Sequence, residues 1–326
     1  MSALDDATRT AVAHSLAVLF AKDLQGDELR GAVRDLGWQE IVDEDPTAQR
    51  LLFAAQGAAL ASSPVLDDVV LGAFPDELGD GDNLGRRVLF MQSDQDSGSS
   101  DAVATGLFLA PLEGATEVAV LRWFGAAPRA WLVPASDVTA AVAITNFDRS
   151  SWTGASANLL EARELSTAGA GLAVAAARRA LAAEINAVSA GALQMAIDHT
   201  TARYQYGRPL ASFQSVRHSL AEAHAAIEAS NVTLDVAYDV ELTRADSALM
   251  ASIAKLRAGD TQAIVLRRTV QVLGAMGLTL ESDMHRYVTR AAALDALLGS
   301  HVEIAEQIAG ELLDGTPIRR VVSVSD

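Results

Sequence analysis

Apolar positions recur at helical spacing at the start of the chain. Val12, Leu16, Leu19 and Phe20 make one stripe within Thr8–Ala21, and Leu51, Leu52, Ala55 and Ala59 make another within Thr47–Ala61. Pro75 and the run Gly79-Asp-Gly-Asp-Asn83 then supply turn chemistry. From residue 89 the period shortens. The runs Val88–Met91, Gly106–Leu109, Val118–Phe124 and Ala130–Val133, separated by Gly, Pro and Ser clusters, predict strands of a small antiparallel sheet or partial barrel. From about residue 166 the helical period returns in long segments: Ala168–Ala202, one marked by Phe213, Val216, Leu220, Ala223, Ile227 and Leu234, Ser247–Met276 ended by Gly277, Ser282–Leu298, and His301–Leu313. The expected organisation is a helical domain over 1–88, a small β domain over 89–165 and a helical bundle over 166–326. The fold class is therefore mainly α with a small central β domain.

Composition narrows the function. Half of the 326 residues are hydrophobic, enough for a full core, yet no run of 18 apolar residues is free of charged or polar breaks. The windows Val118–Leu121 and Ala170–Ala177 read as too short or too rich in Gly and Ala to cross a bilayer, so no membrane span is expected. Cysteine is absent, which excludes disulfides, thiolate metal sites and a thiol nucleophile and fits a reducing cytoplasm. The acidic opening Met1-Ser-Ala-Leu-Asp-Asp6 has no secretory pattern. A net charge of −17 makes nucleic acid a poor partner, so an anionic ligand would need locally clustered cations. Nearly all the cations are arginine; only Lys22 and Lys255 are lysines.

Candidate chemistry is sparse. The six histidines form no HExxH, and His218 and His224 fall on different faces of one helix, so no metal site is expected. Dinucleotide-fold, P-loop and nucleophile-elbow signatures are missing. The informative stretch is Arg203–His218, where Gly207 and Pro209 interrupt one helix and the next opens near Ser212. Arginines on both sides of a helix start can hold an anion, because backbone N–H groups and guanidinium forks both favour phosphate. The same stretch also reads as a surface connection between two helices with solvated arginines.

Arg203-Tyr-Gln-Tyr-Gly-Arg-Pro-Leu-Ala-Ser-Phe-Gln-Ser-Val-Arg-His218 resembles the C-terminal helical signature of the acyl-CoA dehydrogenase family. Two further blocks, Gln271-Val-Leu-Gly-Ala-Met-Gly277 and His285-Arg-Tyr-Val-Thr-Arg-Ala291, are similar to that family's later motifs and fall in the same order. The resemblance covers about residues 165–315. It implies a helical, β, four-helix-bundle architecture and FAD as cofactor. It assigns Arg203, Gln214, Gln271 and Gly274 to the pyrophosphate and adenine end of a neighbouring subunit's FAD, with Ala275 replacing a second glycine.

Departures from the family are as informative. Its glutamate base falls at Leu298 in one placement and at Ala177 in the other, and neither side chain can take a proton. Arg178, beside Ala177, is the candidate substrate contact. Of the blocks that flank the flavin ring, only Gly98-Ser-Ser-Asp101 echoes one, and Trp152-Thr153 lies too close to the C-terminal region to be the other. The resemblance thus points to a subunit of a heteromeric, heterotetrameric acyl-CoA dehydrogenase acting on a fatty-acyl or sterol side-chain thioester. Such a chain contributes FAD contacts beside a base-bearing partner, with electron-transfer flavoprotein as acceptor. The alternatives are a self-sufficient flavoenzyme using Glu303 or Asp295 as base, and a flavin-free scaffold.

Overall fold

The computed structural model describes residues 4–22, 24–79, 83–92, 102–143, 152–239 and 242–315. Residues 80–82 of the expected turn and the 98–101 echo lie outside these. The chain divides into two compact units, residues 1–180 and 181–326.

The first unit opens with six helices: α1 (Asp6–Phe20), α2 (Gly26–Asp35), α3 (Trp38–Glu44), α4 (Gln49–Ala58), α5 (Val65–Leu71) and α6 (Pro75–Leu78). Asp5 caps α1 by accepting the Thr8 N–H at 2.7 Å. The first predicted stripe is an inward face, with Leu16, Leu19 and Phe20 buried; of the second, Leu52 is buried but Ala59 is exposed, and α4 turns Leu52, Phe53 and Gln56 inward instead. Seven strands follow: β1 (Arg86–Met91), β2 (Val103–Phe108), β3 (Glu117–Arg122), β4 (Arg129–Pro134), β5 (Val138–Ala143), β6 (Thr153–Asn158) and β7 (Arg163–Glu164). They form one sheet in the order β5-β6-β2-β1-β3-β4-β7. This corrects the expectation of a purely antiparallel sheet, because β1 and β3 pair in parallel, Val88 opposite Ala119. β2 reverses β1 and β3 reverses β2, so a β3 placed on the other edge of β1 must run with it. One face carries the core of Leu89, Phe108, Val118, Val120, Trp131 and Val133.

Buried charges tie these helices to the sheet. Arg30, 1% exposed, forks onto Asp68 at 2.9 and 2.5 Å and donates to the Asn83 carbonyl at 3.0 Å. Arg87 of β1 reaches Asp27 of α2 at 2.6 Å. Beside them Asp67 is fully buried, its carboxyl oxygens unsatisfied apart from a weak contact with the Val88 N–H. Burial pushes its pKa up to about 7, with Asp68 adding to the rise and Arg30 and Arg87 opposing it.

The second unit is a helical bundle. Helix α7 (Thr167–Ala202) enters it at Leu181, and α8 (Gln214–Ala237), α9 (Arg244–Leu273), α10 (Met284–Ala296) and α11 (His301–Leu313) complete it. Leu193, Ala223, Ile227 and Val265 form an apolar centre. Glu184 of α7 and Arg290 of α10 make a buried ion pair at 2.5 Å, and Asn186 bonds to Ser230 and Asn231 of α8. Helix α9 ends at Gly274 rather than at the expected Gly277. Gly274 takes φ +65° and closes the helix, while Gly277 lies within the short 3-10 segment Gly274–Leu278 that follows, where a Cβ would sit 2.8 Å from the Val270 carbonyl oxygen.

Helix α7 is longer than its Ala170–Ala177 window suggested and, by length and composition, long and apolar enough to cross a membrane. Two thirds (67%) of its most apolar window is buried inside the protein, which accounts for that composition without a bilayer.

Candidate functional site

The stretch between α7 and α8 is a β-hairpin, where the sequence suggested a plain loop. Strands β8 (Tyr204–Gln205) and β9 (Arg208–Pro209) pair antiparallel. The two residues between them, Tyr206 at φ +54° and Gly207 at φ +80°, are both left-handed, as a two-residue hairpin turn requires. Arg203 stands at its base, its carbonyl accepting the Leu210 N–H at 2.9 Å. The hairpin is held to the head of α8 through Phe213, whose ring meets Tyr206 edge-on at 6.3 Å and lies 4.0 Å beneath the Arg208 guanidinium.

Every predicted anion contact here faces solvent. Arg203, Arg208, Gln214 and Arg217 are exposed, and Tyr206 is 94% exposed. Gln214 is the first residue of α8, whose N-cap, Phe213, offers no side chain to the first-turn N–H groups. From residue 199 to 221 the sequence has three arginines and no acid, although the chain carries a net charge of −17. Guanidiniums and a helix start open to solvent suit a diphosphate. Gln271 and Gly274 lie at the far end of α9, both exposed. Nothing lies within 4 Å of the place a Gly274 Cβ would occupy, so its requirement is conformational rather than steric.

The two positions that the resemblance gives to a base are closed. Ala177 of α7 is 0% exposed and Leu298 is 1% exposed. Arg178 is buried too, its guanidinium 5.5 Å from the centre of the Trp123 ring, which fixes it within the first unit. The alternative bases are engaged locally. Glu303 accepts the Ser300 N–H and hydroxyl at 2.9 Å and completes a capping box for α11. Asp295 binds the His301 ring at 2.7 Å and lies 3.5 Å from the Lys255 ammonium. Sequence reasoning passed over Lys255 and took Arg290 only as part of a motif. A lysine or arginine on the inner face of a long helix was the available signal, because such a residue needs a partner.

Residues 170–313 match the family described as acyl-CoA dehydrogenase, C-terminal domain. Over these residues, fewer than half of its length, the chain is similar to the C-terminal domain of acyl-CoA dehydrogenases. A curated relative, acyl-CoA dehydrogenase IpdE2 of Mycobacterium tuberculosis, is 29% identical over 132 residues, a match spanning 40% of this chain and 40% of the relative. The ChsE4-ChsE5 complex from Mycobacterium tuberculosis includes a chain superposing with a TM-score of 0.74 at 21% identity, over 98% of this chain and all of that one. A variant of the Tcur3481-Tcur3483 steroid ACAD gives a TM-score of 0.77 at 20% identity, over 95% of this chain and 98% of that one. At such identities the structures establish the fold: the acyl-CoA dehydrogenase arrangement of helices, a sheet and a C-terminal helical bundle.

Proposed function

We propose that this chain is a subunit of a heteromeric, FAD-dependent acyl-CoA dehydrogenase. It contributes flavin contacts and leaves proton abstraction to a base-bearing partner subunit. The observation that carries this reading is the contrast within the second unit. Its anion-suited groups, Arg203, Arg208, Arg217 and the open start of α8, all face outward, whereas base position 298 holds a buried leucine. Both solved relatives named above are pairs of chains, and one is described as a steroid ACAD. An acyl-CoA carrying a fatty or sterol side chain is therefore the proposed substrate, electron-transfer flavoprotein the proposed acceptor and the cytoplasm the proposed compartment.

When bound, FAD supplies the hydride acceptor for oxidation of a CH–CH bond. This chain's own residues would hold the cofactor. Arg203 would offer two N–H donors to phosphate oxygens, and Gln214 and the first-turn N–H groups of α8 would add further donors. Gln271 and the left-handed Gly274 shape a second exposed rim at the end of α9. Ala177 and Leu298 move no proton. The self-sufficient alternative loses ground because Glu303 and Asp295 already hold local structure.

The test is acyl-CoA-dependent reduction of a ferrocenium-type dye by the chain alone, by its complex with a base-bearing acyl-CoA dehydrogenase chain, and by Leu298→Glu in each setting. Activity is expected only in the complex, with no gain from the new carboxylate. A tenfold gain in the isolated Leu298→Glu chain would overturn the proposal, since it requires a complete flavin and thioester pocket in this chain.

A further inference from the structure

Leu298 sits in a left-handed conformation, φ +55°, and Gly299 follows at φ +95°. Only glycine adopts such angles freely, so a buried leucine there must be held by its surroundings. The surroundings are specific. Lys255 of α9, 0% exposed, extends its ammonium under the turn and donates to two backbone carbonyls that bracket it, Asp295 at 2.9 Å and Gly299 at 3.1 Å. The Asp295 carboxylate faces the same ammonium at 3.5 Å and takes the His301 backbone N–H at 3.2 Å and the His301 ring at 2.7 Å. Ser300 and Glu303 fix the far side through their capping box. Gly259, one turn along α9 from Lys255, leaves the space this needs: a Cβ there would meet His301 Cβ at 2.7 Å and collide with the Asp295 carboxylate.

We infer that Lys255, Asp295 and His301 are positioning residues that lock the 297–300 turn, and with it the side chain at position 298, in a buried left-handed geometry. Burying an ammonium is costly unless it is met by acceptors, and the turn's carbonyls and Asp295 supply acceptors to Lys255. The lock and the turn thus stand or fall together. Position 298 owes its functional meaning to the proposed reading, as the place where related chains carry a base. The geometry does not depend on that reading. In this chain the lock presents a fixed apolar residue at that place.

Two measurements test the lock, and neither involves flavin or acyl-CoA, so failure of the functional proposal would leave both unchanged. The first uses Leu298→Glu as a probe and follows its carboxyl carbon by NMR against pH, in the full chain with Lys255 intact and with Lys255→Met. The lock predicts a carboxyl titrating well above the ordinary range with Lys255 present, falling back toward it once the turn is released. A carboxyl that titrates alike in both, or higher in Lys255→Met as loss of a nearby cation from an intact turn would make it, would overturn the inference. The second measurement needs no variant. By native-state hydrogen exchange, the Ser300 and His301 amides should be protected on the order of a hundredfold more than the Gly207 amide of the exposed hairpin. Equal exchange would contradict the lock even if Lys255→Met failed to fold.

Discussion

Among its described residues the bundle has two turns built on consecutive left-handed residues, and they use their polar groups in opposite ways. At Leu298-Gly299 the turn is buried, and an ammonium, a carboxylate, an imidazole and a capping box meet one another around it. At Tyr206-Gly207 the hairpin is exposed, and its arginines, tyrosines and the neighbouring helix start point to solvent. A turn whose donors and acceptors are satisfied internally has nothing left for a ligand, while one that leaves guanidiniums and N–H groups outward can take an anion. The Leu298 turn is therefore structural in this chain, and the exposed hairpin is where we propose that a ligand docks.

Asp67 marks the boundary of this contrast, since it is buried and also largely unsatisfied. Unfolded, it ionises near 3.8; folded, it keeps its proton to about 7. Its contribution is thus most favourable below about pH 4, declines as pH rises toward 7 and is level above that. Asp67→Asn should be more stable than wild type at pH 7.5 by up to roughly 4 kcal/mol. Denaturant unfolding at pH 4 and pH 7.5 checks this, and an unchanged difference between the two pH values would show that Asp67 finds a partner.

Glycine substitution separates the two turns directly. Leu298→Gly relieves a left-handed leucine but removes a buried side chain, and cavity costs of about 2–5 kcal/mol outweigh about 1 kcal/mol of backbone relief. Thermal unfolding should therefore show a clear loss. Arg203→Ala comes next in size. It should leave unfolding unchanged but weaken FAD binding by the complex about ten- to a hundredfold, or about 1.5–3 kcal/mol, by fluorescence titration. Smallest is Tyr206→Gly, where relief of the positive φ offsets the lost edge contact with Phe213, leaving stability within about 0.5 kcal/mol. A large loss at Tyr206 would mean that the hairpin is as structural as the other turn.

Sequence patterning made the long helices legible, because α7, α8 and α9 run for 36, 24 and 30 residues without a proline to break them. Helices α3, α5 and α6, of 7, 7 and 4 residues, are too short to show a period. Strand β6, Thr-Gly-Ala-Ser-Ala-Asn, has no large apolar residue to announce it. The parallel β1–β3 pairing depends on strand order, which local pattern does not encode. At the candidate site, the family resemblance singled out Arg203, Gln214, Gln271, Gly274 and Leu298. It gave no sign of the buried partnerships within the bundle: Glu184 meets Arg290 across 106 residues, and Lys255 meets Asp295 across 40.

The most direct test of the central claim is the flavin content of the chain purified alone and as the complex with its base-bearing partner, read from the visible flavin band against protein concentration. A hairpin that grips only the diphosphate end of a neighbour's cofactor predicts little or no FAD in the isolated chain and stoichiometric FAD in the complex. Tight, stoichiometric FAD in the isolated chain would contradict the account, because it requires a complete flavin site within one subunit.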